Sequence, residues 1–429
     1  MSDGSDGDKV NPVNALLEDL KWRGLLAHST DEEALAAHLD AGPIRFYVGF
    51  DPTAPSVHTG NLVQLLLARR LQQAGHEPYI LVGGATGLIG DPKESGERTM
   101  NSADVVAGWV ERIRSQVQRY VDFDGPASAT MVNNLDWTHQ ISVLDFLRDV
   151  GKHFPVNRML ARDVVARRLD AGISYTEFSY VLLQSMDYRE LHRRHGVTMQ
   201  TGGSDQWGNI TAGVELIRRS DQVRVHAMAT PLLTKADGTK FGKTEAGTIW
   251  LDPELTSAYA FHQFFLNAED AKVIDYLKVF SFRTREEIED LQRATEAEPH
   301  KRAAQRALAD DVTDLVHGTS ERQAASDAAA ALFGRGDLAD LPTTTLEQVM
   351  REVGAVNVST PPSITEALTM AGLVDSKSAA RRAIAEGGAY LNNAKVTDPE
   401  LQLTPEHLLA SRFAVLRRGR KTVGGVVLD

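Results

Sequence analysis

The stretch from Ile44 to Asp91 leaves little freedom in the choice of fold. Residues IRFYVGF alternate, with Ile44, Phe46, Val48 and Phe50 on one side and Arg45 and Tyr47 on the other, the period of a strand. LVQLLLARRLQQAGH then sets Leu62, Leu65 and Leu66 at helical spacing, with Gly75 to end the helix. PYILVGGATGLIGD follows, an apolar run entering a glycine-rich turn. Strand, helix and strand in so few residues predict a βαβ unit, with two parallel strands and the helix crossing over one face.

The rest of the chain extends this pattern and then leaves it. Gly125 to Asp170 is helical and apolar (VLDFLRDV, FPVNRMLARDVV) and reads as an insertion between two halves of the sheet, at about 125–175. VTMQTGGSDQWGN gives a further strand into a glycine-rich turn, and NITAGVELIRR a helix, so residues 14–250 are expected to form a Rossmann-like parallel α/β domain. An α-helical domain is expected over 251–340, where Ala, Leu, Glu and Arg dominate. Residues 341–362 read as a connector stiffened by Pro361-Pro362, and 363–429 as a small α+β module.

Composition narrows the class. Length (429 residues) and 42% hydrophobic content suffice for several cores. Residues 1–13 are acidic and Gly/Ser-rich, so they read as a disordered lead with no export signal, and no run of eighteen apolar residues offers a membrane span. The absence of cysteine excludes disulfides, Cys-based zinc sites and thiol nucleophiles, and is compatible with a cytoplasmic location. A net charge of -12 argues against indiscriminate coating of nucleic acid. Residues 363–429 carry nine Lys/Arg against seven Asp/Glu, net +2, which leaves -14 to the rest and concentrates any such contact at the C-terminal end.

Five polar stretches are candidates for chemistry. In DPTAPSVHTGNL, Asp51, Thr53 and Ser56 suit helix capping, and His58 lacks a second ligand at metal spacing on the same helix. A helix N-terminus with Gly60 is also a ready anion site, and His58 and Asn61 would share an edge of its first turn, able to donate to a phosphate and a sugar. Gly84, Gly87 and Gly90 do not have the dinucleotide spacing, but Asp91 falls at the carboxyl edge of the sheet, where such folds bind ligands. In YTEFSYVLLQSMDYREL, Tyr180, Gln184 and Asp187 lie on one helix face, either as a solvated stripe or as a row for a small ligand bearing an ammonium and a hydroxyl. Asp205 and Gln206 form another polar cluster in GGSDQWGN. Lys240 and Lys243 bracket Phe241-Gly242 in TKFGKT, as a charged surface loop or as a clamp for a leaving polyphosphate.

Taken together, YVGFDPTAPSVHTGNL, LVGGATGLIGDP, YTEFSYVLLQSMD, QTGGSDQWGNITAG and TKFGKT resemble the bacterial-type tyrosyl-tRNA synthetases of class I, from about Asn14 to the C-terminus. The resemblance implies activation of L-tyrosine with ATP, accompanied by Mg2+ and with no tightly bound protein metal, followed by transfer to the 3'-terminal ribose of tRNA(Tyr). It assigns Tyr47 and Asp187 to the substrate phenol, Asp91, Tyr180 and Gln184 to its ammonium, and Gln206 to the region of its carboxylate. Asp205 is implied at the ribose, Asp51 and Gly60 beside the nucleotide, and Thr53, His58, Lys240, Lys243 and Arg98 at the phosphates. Asn61 stands where histidine is frequent and keeps the ribose contact, while Val48 stands where some members have cysteine. KSAARRAIAEGGAYLNNAKV resembles an S4-type RNA-binding domain, with Lys377, Arg381 and Arg382 toward the tRNA backbone. The helical domain resembles the family's anticodon-binding domain, and the insertion resembles its homodimer interface. A small-molecule adenylyltransferase would not need the residues after Glu254, and a catalytically silent RNA-binding relative would have lost parts of the polar set.

Overall fold

The computed structural model describes residues 14–92, 96, 100–244, 247–419 and 422–429. Its contacts separate a unit running to Leu251, which also takes in Lys278–Phe280, from one formed by Asp252–Leu277 and Ser281–Asp429. In the first unit, β1 (His28–Ser29), β2 (Arg45–Phe50), β3 (Glu77–Val82), β4 (Thr130–Asn133), β5 (Met199–Gly203) and β6 (His226–Thr230) form one sheet in the order β1-β6-β5-β2-β3-β4. All neighbours are parallel except β1 and β6. From β2 the chain proceeds outward to β3 and β4, then returns to lay β5 on the other side of β2. The order therefore reverses between β2 and β5, and open α/β sheets bind ligands in the crevice at such a point.

The alternation read in IRFYVGF understates how far β2 is buried. Phe46, Tyr47, Val48 and Phe50 are all in the interior, because the strand is central and both its faces are covered. Helix Thr59–Gln73 contacts β2, β3 and β5. On the other side Tyr47, Tyr79 and Leu81 pack with Val181, Leu182 and Tyr188 of helix Tyr175–His195. That long helix starts on Ser174, whose hydroxyl accepts the Glu177 amide, and ends at Gly196 in the left-handed conformation (φ 68°).

Two stretches depart from the sequence reading. Thr130–Asn133, expected within the insertion, is the edge strand β4; four residues without clear alternation carry too little pattern to be recognised. The supposed connector holds helix Thr343–Glu352, which buries Leu346, Val349 and Met350, and β9 (Val356–Val358). Its Thr-rich start and closing prolines mask an amphipathic helix between them.

The hairpin of β7 (Lys243–Thr244) and β8 (Gly247–Thr248) completes the first unit's strands. In the second unit, helices Ala258–Leu266, Ala303–His317 and Thr319–Leu332 pack together, and β10 (Ala389–Leu391), β11 (Ala394–Lys395), β12 (Phe413–Arg418) and β13 (Thr422–Leu428) join β9 in a five-stranded sheet. Helices Ile364–Met370 and Lys377–Ala385 cover one sheet face through Leu368, Ala380 and Ile384.

Where the insertion rejoins the long helix, Arg168 pairs with Glu177 at 3.0 Å, the two side chains being 4% and 2% exposed. Removing one member of a buried pair strands the other. Arg168→Met should therefore cost about 3–5 kcal/mol in urea unfolding, and Arg168→Met combined with Glu177→Leu should recover part of that loss.

Candidate active site

At the carboxyl ends of β2 and β5 lies a cavity of about 360 Å³, lined by residues that widely separated stretches of sequence supply. Tyr47, Asp51, Thr53, His58, Gly60, Asn61, Asp91, Tyr180, Gln184, Asp187, Asp205 and Gln206 all border it. Lys240 is exposed and outside the lining, although its neighbour Phe241 belongs to it. Arg98 lies outside the described residues. Lys377, Arg381 and Arg382 belong to the second unit. Lys377 pairs with Glu366 at 2.7 Å and Arg381 with Glu400 at 3.0 Å, while Arg382 is exposed.

The deep end is built around two buried groups. Asp187 is 2% exposed; its Oδ1 accepts from Trp137 Nε1 at 2.8 Å and its Oδ2 from Asn134 Nδ2 at 2.9 Å. Burial outweighs these two donors and pushes its carboxyl up to about 7. Tyr47, also 2% exposed, has a hydroxyl with no hydrogen-bond partner among the described residues, and burial together with the nearby Asp187 charge raises its pKa. A hydroxyl without a partner beside a carboxylate that can still accept is suited to a ligand bearing one more hydroxyl.

Nearer the mouth, Tyr180 donates to Asp51 Oδ2 at 2.6 Å, and Thr86 donates to Asp51 Oδ1 at 2.6 Å. Asn134 reaches Thr86 Oγ1 at 2.9 Å, so Asp51 and Asp187 are joined through two side chains. Gly83 carries no side chain because a Cβ there would collide with both Asp51 and Thr86. Asp91 accepts from Gln206 at 2.9 Å and from Asn209 at 3.2 Å, and the buried Gln184 Oε1 has no partner among the described residues. Asp91 and Gln184 thus supply acceptors for a cation.

At the start of helix Thr59–Gln73 the imidazole folds back over the first turn. His58 Nδ1 accepts from the amides of Gly60 at 3.0 Å and Asn61 at 3.4 Å, while Asn61 Oδ1 accepts the His58 amide at 3.1 Å. Gly60 is required here, since a Cβ would lie 2.8 Å from His58 Cε1. Thr59 donates its amide to Ile249 O at 3.2 Å. The first amides of the helix are therefore engaged and do not form the bare anion cradle that the sequence suggests. With Nδ1 accepting, the proton of the neutral ring sits on Nε2, a single donor. Burial first, and then the Lys243 ammonium, hold the His58 pKa below its ordinary value, so the ring is neutral near pH 7. Gly242 (φ 85°) rests against Thr59, which seats the Lys-bearing loop on this helix start.

The sequence reading missed Asn134, Trp137, Thr86 and Asn209. Asn133-Asn134, just after an unrecognised strand, was the available signal, because that position too is at the carboxyl edge of the sheet.

The family model for class I tRNA synthetases (W and Y) matches residues 39–334, and that for the SYY-like C-terminal domain of tyrosine--tRNA ligases matches 345–423. With the parallel sheet and its switch-point cavity, these matches place the chain among the class I aminoacyl-tRNA synthetases. The tyrosine--tRNA ligases of Cutibacterium acnes and Kineococcus radiotolerans are 65% and 62% identical to it, over 96% and 97% of this chain and 100% and 99% of theirs. A C-terminally truncated mitochondrial tyrosyl-tRNA synthetase of Aspergillus nidulans matches with a TM-score of 0.67 and 30% identity, over 74% of this chain and 94% of that one. The chain belongs to the tyrosine--tRNA ligase family.

Asp187 carries a measurable pH signature. Its folded pKa, about 7, lies above the unfolded value, so ionising it in place costs stability as pH rises from about 4, and the cost levels off above 7. Asp187→Asn removes that term, and the stability of the variant relative to the parent should increase by about 2 kcal/mol between pH 5 and pH 8 in urea unfolding.

Proposed function

We propose that the chain activates L-tyrosine with ATP and then transfers the tyrosyl group to the 3'-terminal ribose of tRNA(Tyr). The observation that carries the reading is the deep end of the cavity, where the unpartnered Tyr47 hydroxyl and the Asp187 carboxylate meet the needs of a phenol: one group to donate to its oxygen and one to accept its proton. Asp91, Gln184 and Tyr180 take the α-ammonium, and Gln206 sits by the carboxylate. Asp51, Gly60, Asn61 and Asp205 are assigned to the nucleotide and Thr53, His58, Lys240 and Lys243 to its phosphates, the role that the family resemblance also gives to Arg98.

The tyrosine carboxylate is ionised at neutral pH, so the first step needs no base. One of its oxygens forms a bond to the α-phosphorus of ATP as the bond to the bridging oxygen breaks, and pyrophosphate leaves. Alignment comes from the phenol and ammonium contacts, and charge gathering on phosphate oxygens is met by His58 Nε2–H and the loop lysines. Mg2+ would enter on the triphosphate and neutralise part of its charge. In the second step a terminal ribose hydroxyl attacks the adenylate carbonyl and AMP departs.

The second unit suits RNA. Arg382 is exposed, and across β11, β10 and β12 the residues Lys395, Tyr390 and Arg417 stand opposite one another, with Arg417 4.2 Å from the Tyr390 ring centroid. On the insertion, Val143 and Leu144 are 73% and 78% exposed and Tyr175 67%, an apolar surface that suits a second copy of the chain. Among the described residues no helix is long and apolar enough to cross a membrane, and we place the protein in the cytoplasm.

Tyrosine-dependent ATP–pyrophosphate exchange tests the first step. Exchange with tyrosine and not with phenylalanine is expected, Asp187→Ala should raise the KM for tyrosine far more than that for ATP, and absence of exchange would end the proposal. Arg417→Ala should leave exchange unchanged while it weakens tRNA charging, most of all at raised salt; equal loss in both assays would mean that the residue acts through folding.

A further inference from the structure

Gly208 and Asn209 are among the residues of GGSDQWGN that the proposed roles leave unused. Asn209 is 3% exposed, and its Oδ1 accepts from Arg162 Nη2. Its Nδ2 donates to Asp91 Oδ1 at 3.2 Å and to Gln206 Oε1 at 2.9 Å, and Gln206 Nε2 in turn donates to Asp91 Oδ2 at 2.9 Å. An amide side chain can usually be turned end for end, but this pair cannot. A guanidinium only donates, so Oδ1 of Asn209 must face Arg162 and Nδ2 must face inward. That leaves Gln206 with its oxygen toward Asn209 and its NH2 on Asp91.

We propose that Arg162 is a positioning residue for the tyrosine site: through Asn209 it sets the polarity of the amide pair that orients the Asp91 carboxylate toward the substrate ammonium. Gly208 is an independent mark of the same arrangement, since a Cβ there would lie 3.3 Å from Arg162 Nη2 and crowd the guanidinium. Arg162 is carried by the insertion and also borders a second cavity with Phe154, Pro155 and Met159. Packing on that side of the insertion is thereby coupled to the ammonium end of the active-site cavity, through two side chains. The inference rests on the tyrosine-activating reading and adds to it a residue that does not touch the substrate.

The test uses the full chain in tyrosine-dependent pyrophosphate exchange, with tyramine and 4-ethylphenol as competitors. Tyramine keeps the ammonium; 4-ethylphenol keeps only the phenol. Arg162→Met should raise the KM for tyrosine about fivefold to tenfold at an unchanged KM for ATP, and weaken tyramine by a similar factor. Inhibition by 4-ethylphenol should not change, whereas general loosening of the pocket would weaken both competitors. Arg162→Lys, which keeps a donor, should recover most of the loss. Gly208→Ala, an addition that a helix tolerates, should shift tyrosine and tyramine in the same direction by a smaller factor, and stands as the test if Arg162→Met does not fold. An unchanged KM for tyrosine, or equal weakening of tyramine and 4-ethylphenol, would overturn the proposal. Absence of tyrosine-dependent exchange in the parent chain would instead overturn the reading beneath it.

Discussion

Holding the Asp187 carboxyl out of water constrains everything around it. A buried carboxylate is tolerable only with donors aimed at it, and here Trp137 and Asn134 supply them from the segment that follows β4. Asn134 is itself 0% exposed and must satisfy its other end, which it does by accepting the Ala85 amide at 2.7 Å. Thr86 passes the chain of bonds to Asp51, and Tyr180 closes it on the helix that carries Asp187. The ring of side chains ties three strand ends to one helix, so the register of the sheet and the geometry of the amino-acid end cannot vary separately. In a low-dielectric site such a network is rigid when complete and costly when broken.

The anion end follows a different economy of contacts. A helix N-terminus ordinarily offers several amides to a phosphate. In this chain His58 and Ile249 use them, and what faces the cavity is one imidazole N–H whose tautomer the cap enforces. On the proposed reading, one directed donor would stabilise charge at one place, favouring an oxygen whose charge grows during reaction over a whole triphosphate at rest.

The parallel sheet was legible because strands and helices at the centre of a fold carry long apolar runs, and Tyr180, Gln184 and Asp187 were legible because helical spacing puts them in one row. β4 and the helix at Thr343–Glu352 were not, the one for shortness and the other for polar and proline-rich flanks. The missed site residues share a simpler reason. Asn134, Trp137, Thr86 and Asn209 act on other side chains across the fold, and their partners are 53, 50, 35 and 118 positions away. No local spacing records a contact of that kind. The placement of Arg162 near Asn209, 47 positions on, is equally invisible until the chain is folded.

The two lysines of TKFGKT look equivalent in sequence and are not equivalent in the fold. Both are exposed and outside the cavity lining, but Lys243 begins a hairpin strand and its charge, second to burial, lowers the His58 pKa. Gly242, between them, lies so close to Thr59 that there is no room for a side chain, and its positive φ also favours glycine. The loop is thus seated on the helix start at Gly242, with both ammonium groups exposed to water. An exposed ammonium pays no desolvation cost before the nucleotide arrives, and it can add its charge when pyrophosphate begins to separate. On the proposed reading, lysines held in water spare the ground state a charge it does not need, and their attraction would be reserved for the step in which phosphate charge moves toward the loop.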